Sequence, residues 1–308
     1  MTASPAPSVE TAPLGWWDRL SFTAVHGIVS LLLSLLSLGG LYHLGRIFGT
    51  AEWLINYRRR RRFRRTLVEV LGPGKTAAEL RAVTHQHFRQ TRCDKLIYLV
   101  FDRLSRDRAL SLLSIGGKGL LDEAVAGGRG VYMAMSHHGA HHVIAMLMAM
   151  RGYRIAGVRD RRESAIRRFV QARFDELYPE FPRMRVIFAD AYPRDIYRCL
   201  KDGYLLGSAM DAGRARHPNQ KTETVRIFGE ERAFLSGPLR VAIRCRAPVL
   251  QAFILPEAEF RYRLEIVDRL VDSDAPEDET EVIHRALRAY AANVERYVRE
   301  YPGLSTRA

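Results

Sequence analysis

Residues 131–159 read VYMAMSHHGAHHVIAMLMAMRGYRIAGVR, and this stretch decides the fold. VYMAM (Val131 to Met135) is an uncharged apolar run, too short for a helix and bounded by a turn, which is the pattern of a buried strand. AHHVIAMLMAMRG (Ala140 to Gly152) reads as a helix stopped by Gly152, and YRIAGVR (Tyr153 to Arg159) as a second strand. The junction between strand and helix holds His137, His138, His141 and His142, four of the ten histidines in the chain. No Asp or Glu lies between Glu123 and Asp160.

The alternation continues outward. A helical pattern covers Ala77 to Arg106, and LLDEAVAGGRG (Leu120 to Gly130) is a short helix ended by glycines. Ser164 to Tyr178 reads as a helix, RVIFAD (Arg185 to Asp190) as a strand, Pro193 to Asp202 as a helix and YLLGSAM (Tyr204 to Met210) as a strand. PLRVAIRCRA (Pro238 to Ala247) follows Ser236 as a capped helix. PVLQAFIL and RYRLEIV form two strands with hairpin spacing, and Thr280 to Tyr301 closes the chain as an amphipathic helix. Strands alternating with helices predict an α/β fold with a mixed, largely parallel sheet flanked by helices. At 308 residues with 47% apolar content the chain is long enough for one large domain, expected over residues 57–308.

Ahead of that domain, residues 1–15 (MTASPAPSVETAPLG) are rich in Pro, Ser and Ala and read as a tail, which we extend to residue 19. After Arg19 no charge appears until Arg46. Those 26 residues extend roughly 39 Å as a helix, enough to cross a hydrocarbon core of about 30 Å, so residues 20–56 are expected to be membrane-associated. His26, the serines and Gly39-Gly40 dilute the run, which leaves a helix lying in the membrane surface as the alternative. A cleaved signal peptide fits poorly, because the leading residues lack net positive charge. YRRRRRFRR (Tyr57 to Arg65) follows at once, and Arg58, Arg59, Arg60, Arg61 and Arg62 are expected to meet anionic head groups. The net charge of +14 agrees with a polyanionic partner. No nucleic-acid-binding module is visible, so nucleic acid is not an expected partner. Cys93, Cys199 and Cys245 form no CxxC and read as buried thiols rather than a disulfide framework or zinc site.

The histidine turn permits three readings. Four histidines in six residues fill a core poorly. HxxHH over His138 to His142 matches the spacing of iron-binding boxes, but a single such turn without a carboxylate or thiol nearby is weak metal evidence, so no metal is expected. General base catalysis is the remaining reading. His137 and His138 stand where a strand ends and a helix begins, and the helix N-terminus there favours a neutral imidazole and offers N–H groups to an oxyanion.

At these residues the chain resembles the lipid A late acyltransferases (lauroyl/myristoyl transferases), a branch of the lysophospholipid acyltransferase superfamily. Ser136-His137-His138-Gly139-Ala140-His141-His142 sits in a frame that reads small-His-x-Gly-Asn-aromatic-Glu in that branch. YRIAGVR, ending in Arg159, resembles its strand with a functional arginine, and GSAMDAG (Gly207 to Gly213) resembles its Ala-Asp-Gln segment at Asp211. Phe228 to Leu255 resembles its Phe-Gly, Gly-Pro and Ala-Pro-Val stretch, with Gly237-Pro238 the most specific part. The chain departs from the pattern in three places. His142 stands where the dyad acid is expected, Ala140 replaces Asn, and Tyr301-Pro302-Gly303 lacks the Glu-Gln-Trp-aromatic ending.

The resemblance implies a glycerol-phosphate-acyltransferase-like fold and acyl transfer to a hydroxyl of lipid A or a related glycolipid or phospholipid. The donor would be a thioester on acyl carrier protein or coenzyme A, with no bound cofactor. It makes His137 the general base. Three residues are candidates for steadying its imidazole: His142 as a neutral hydrogen-bond acceptor, and Asp211 or Asp160 as displaced carboxylates. Arg159 would hold a phosphate or developing charge, Arg214 and Arg216 would assist an anionic acceptor, and His138, His141 and Gly237 would line the substrate. The expected location is the bacterial inner membrane, with the catalytic domain facing the cytoplasm. The competing expectation is a non-catalytic or attenuated homologue that binds lipid in envelope biogenesis.

Overall fold

The computed structural model describes residues 15–72, 74–137, 139–159, 165–188, 193–211, 221–272 and 278–304. In chain order the helices are α1 (Trp16–Leu35), α2 (Leu38–Ile55), α3 (Tyr57–Leu71), α4 (Ala77–Val100), α5 (Arg106–Leu110), α6 (Lys118–Ala126), α7 (His141–Met150), α8 (Ala165–Leu177), α9 (Pro193–Lys201), α10 (Gly237–Arg244) and α11 (Glu279–Glu300). The strands are β1 (Leu113–Gly116), β2 (Val131–Met135), β3 (Ile155–Arg159), β4 (Arg185–Phe188), β5 (Leu205–Ala209), β6 (Thr222–Ile227), β7 (Glu230–Leu235), β8 (Val249–Pro256) and β9 (Tyr262–Val271).

Seven strands form one sheet in the order β1-β9-β8-β2-β5-β3-β4, and β6 and β7 make a separate antiparallel hairpin. Every pair in the large sheet is parallel except β8 with β9. The predicted mixed, largely parallel α/β sheet is therefore the fold. Val131, Tyr132, Met133 and Ala134 of β2 are buried, as a central strand covered on both faces requires. One face is covered by a cluster that includes Val143, Leu147 and Met150 of α7 with Ile97 of α4, and the other by Leu200 of α9, Leu239 of α10 and Leu287 of α11.

The local chemistry explains the element boundaries. Thr76 and Glu79 close a reciprocal capping box at the start of α4. Asp278 caps α11 by accepting from the N–H groups of Thr280 and Glu281. Two features depart from the sequence reading. The uncharged run after Arg19 is not one helix. It breaks at Leu36, and Ser37 begins α2 by accepting a hydrogen bond from the Gly40 N–H. Strands β1, β6 and β7 were not expected. They are short or charged, so what apolar alternation they have is too brief to mark a strand.

Val29, Leu38 and Leu41 of α1 and α2 belong to the same buried cluster as Val131 and Leu147. The N-terminal helices thus share the core of the sheet domain. Gly45 and Gly49 of α2 face Cys93 and Arg89 of α4, and a Cβ at Gly49 would lie 2.4 Å from the Arg89 Cα. The absence of side chains lets the two helices touch.

Candidate active site

Parallel strands bring their C-terminal ends to one edge, where α/β folds place their sites. Strand β2 pairs in register with β5, Met135 opposite Ala209, and the Met210 N–H continues the ladder by donating to the Met135 carbonyl at 3.0 Å. Two residues past each strand end, His137 is therefore opposite Asp211. The Asp211 carboxylate meets His137 twice. Oδ1 lies 2.7 Å from the imidazole Nδ1, and Oδ2 accepts the His137 main-chain N–H at 2.8 Å. A carboxylate at Nδ1 holds the proton there and leaves the Nε2 lone pair to accept another. The His137 side chain keeps a quarter of its exposure, while Asp211 keeps 16%.

The turn after His137 is shaped by Gly139, whose φ is +87°. A Cβ there would sit 2.3 Å from the Ile254 carbonyl oxygen of β8, so both the backbone conformation and the space require glycine. The Gly139 N–H donates to the Leu304 carbonyl, which ties the turn to the end of the described chain. Helix α7 starts two residues later, and Ala140 supplies no side-chain cap to its first N–H groups. Those groups are suited to a developing negative charge.

The other predicted residues separate into groups. Continuing the β3–β5 register from Gly157 opposite Gly207 sets Arg159 level with Ala209 at the same edge. Gly237 is brought there as well: the Leu235 N–H donates to the Met210 carbonyl, and Gly237 follows with its N–H 3.4 Å from the Lys221 oxygen. His141 approaches His137 edge-on, with ring centroids 6.4 Å apart. His142, the residue at the expected acid position, turns elsewhere. Its Nε2 is 2.6 Å from a guanidinium nitrogen of Arg167, and its ring tilts against Tyr98. His142 is thus not the group on the Nδ1 of His137, because the first turn of α7 points it at α8. His138, Asp160, Arg214 and Arg216 lie outside the described residues. Among the described residues no three His, Cys, Asp or Glu side chains are grouped to hold a metal ion.

Sequence reading missed Tyr290. Its hydroxyl donates to the Met135 carbonyl at 2.8 Å, and the hydroxyl oxygen faces the Asp211 main chain. This buried phenol bridges the ends of β2 and β5 from below, between the two loops that carry His137 and Asp211. Burial and the nearby Asp211 charge push its pKa well above the usual phenol value, so it stays protonated. Gln251 and Asn293 hold it in turn: Gln251 donates to the Tyr290 carbonyl at 3.1 Å, and Asn293 donates to Gln251 at 2.9 Å. No local pattern marks Tyr290. Only its place on the inner face of an amphipathic helix was visible.

Residues 22–305 match the model of the bacterial lipid A biosynthesis acyltransferases. The chain belongs to that family. The match spans the sheet, the histidine turn, most of α1 and all of α2, so the candidate site lies inside the shared family region. No curated protein matches this chain by sequence. The resemblance implies a carboxylate five residues after His137; the carboxylate found on its Nδ1 is that of Asp211, 74 residues later and just past the end of β5.

Proposed function

We propose that this family member transfers a fatty acyl group from an acyl thioester to a hydroxyl of a lipid A precursor or a related glycolipid or phospholipid, with His137 as general base and Asp211 as its orienting carboxylate. The contact between Asp211 and the Nδ1 of His137 carries the reading. Nε2 takes the hydroxyl proton as the alcohol oxygen attacks the thioester carbonyl carbon. The tetrahedral oxyanion faces the first N–H groups of α7. When it collapses, the carbon–sulfur bond breaks, the thiolate leaves, and the imidazolium returns the proton to sulfur. Asp211 supports the imidazolium between these steps, as the carboxylate of a hydrolytic triad does.

The donor is read as acyl carrier protein or coenzyme A. Both are anionic, and the net charge of +14 suits them and a phosphorylated acceptor. Arg159 and Gly237 occupy the edge where acceptor phosphate would lie. The domain is read as facing the cytoplasm at the inner membrane. The alternative is a non-catalytic or attenuated homologue that binds lipid; the Asp211 carboxylate on His137 supports the active reading over it.

The test is acyl transfer by the full chain from labelled thioesters to lipid acceptors, with products weighed by mass spectrometry. His137→Ala and His137→Gln should both abolish a product heavier by one acyl chain. Unchanged product from either folded variant ends the assignment.

A further inference from the structure

We infer that α1 and α2 lie in a single leaflet of an anionic bilayer, with the residue before α1 and the sheet domain on the same side of the membrane. Helix α1 is long and apolar enough to span, so the distinction must come from what holds it. His26, midway along α1, is buried, with Nε2 3.0 Å from both oxygens of Asp102 in the short turn that follows α4. Arg173 of α8 reaches the same carboxylate with Nε at 2.8 Å and a second nitrogen at 2.7 Å. Phe22 packs on Phe169 of α8 one turn earlier. A spanning α1 would place this ionic group near the bilayer midplane. It would also draw in α8, which exposes Asp175 and Glu176. Charges at that depth are costly, and here they belong to helices of the sheet domain.

The outward faces are suited to a shallow position. Trp16, Trp17, Leu20, Ile28, Leu31 and Leu35 of α1 are exposed, and α2 exposes Ile47, Phe48, Leu54 and Ile55. From Leu20 to Ile55 the chain holds two charged side chains, Arg46 and Glu52, and both are half-buried. Glu52 is turned inward onto Arg59 at 2.7 Å and Arg92 at 2.5 Å. An apolar face this broad needs cover. Its chemistry points to lipid, because Trp16 and Trp17 are stacked and exposed at one end and a basic helix follows the other. In α3, Arg58, Arg61, Arg62, Arg64 and Arg65 are exposed, while Arg59 and Arg60 fold back onto Phe88 and Trp53. Each exposed arginine near an anionic surface adds about 1 kcal/mol. Gly39 at the start of α2 lies against Glu259, just past β8, at the sheet edge that carries His137. The leaflet and the candidate site are thereby neighbours, but the inference stands on the helices alone.

The experiment uses the full chain in membranes. Gly15→Cys and Arg288→Cys are separately labelled with an impermeant maleimide in inside-out and right-side-out vesicles, with the unsubstituted chain as control because Cys93, Cys199 and Cys245 are buried. Both positions should react in the same vesicle type. Labelling from opposite sides overturns the inference. With purified protein, Ile28→Asp and Ile55→Asp should each lower partition into phosphatidylglycerol-containing vesicles by about tenfold or more, and Arg61→Glu with Arg62→Glu should remove the preference over pure phosphatidylcholine. If the Asp variants bind vesicles normally and instead split a dimer, the face belongs to a second copy and the inference fails.

Discussion

Replacing Asp211 with Asn tests the catalytic reading at one atom. The carboxylate accepts two hydrogen bonds, from His137 Nδ1 at 2.7 Å and from the His137 main-chain N–H at 2.8 Å. An amide of the same size has one acceptor and one donor. The main-chain N–H cannot change its role, whereas the imidazole can change tautomer. The Asn oxygen therefore faces the main chain and its NH2 faces Nδ1. That drives the ring proton to Nε2, the atom that must accept the substrate proton. The same exchange in a serine-protease triad costs about 10⁴ in turnover. The His137 ring keeps a quarter of its exposure, so water can partly support the productive tautomer, and a loss of about 10³ to 10⁴ is expected. At about 1.4 kcal/mol per tenfold this is roughly 4–5.5 kcal/mol of transition-state stabilisation. The assay is single-turnover acyl transfer at saturating donor, with donor affinity measured separately and expected to be unchanged. His142→Ala is the companion variant and should cost no more than about fivefold, because its described hydrogen bond goes to Arg167. Asp211→Asn within tenfold of the parent, or His142→Ala losing as much as Asp211→Asn, would refute the reasoning.

Tyr290→Phe keeps the ring but removes the bridge between the Met135 carbonyl and Asp211, so turnover should fall about tenfold with little change in KM, while thermal stability drops by about 1–2 kcal/mol. Gly139→Ala meets the Ile254 carbonyl and a φ of +87°; soluble yield should fall, and any folded protein should be inactive with α7 displaced, readable by hydrogen exchange in residues 137–145. Acid stability is a third check. Burial is the main reason that the pKa of His87 is pushed down to about 4, against a bond to the Gly303 carbonyl that raises it. The unfolded chain therefore binds this proton first as pH falls. The stability His87 contributes is complete above about pH 6.5 and is lost towards pH 4, by about 3 kcal/mol. His87→Phe, still able to stack on Phe63, should abolish that loss in the difference between urea midpoints, and Asp94, which burial raises to about 6, cancels because both proteins carry it. Equal pH slopes would refute it.

The order of strands and helices was legible because each central strand is a short, mostly apolar run and each crossover helix ends near a glycine or proline. VYMAM, YRIAGVR and YLLGSAM were placed within one or two residues of β2, β3 and β5. The hairpin β6–β7 was not, since TETVRI and EERAFL carry charges on the exposed positions of a two-stranded ribbon and look like loop. The break between α1 and α2 was also hidden. Extended backbone at Leu36 ends α1 where composition alone would continue it, and Ser37, which caps the start of α2, is one of several serines in the run. Gly39-Gly40 beside it was the only hint.

The site was half legible for a physical reason. A motif within one turn can be read along the chain, so the histidines and the absence of a nearby acid were plain. A carboxylate supplied by the next strand cannot be read that way, because its position depends on register, and register follows from the whole sheet. Once β2 and β5 are paired in parallel with Met135 opposite Ala209, residues 137 and 211 are committed to each other. The resemblance implies an acid at position 142, in the first turn of α7, five residues after His137 in the turn before it. Here Asp211 sits on a separate loop, and its distance from His137 is held by the β2–β5 ladder and by the Tyr290 hydroxyl on the Met135 carbonyl. Loosening that bridge should therefore lower acyl transfer by this chain more than by a relative whose acid follows its histidine five residues on.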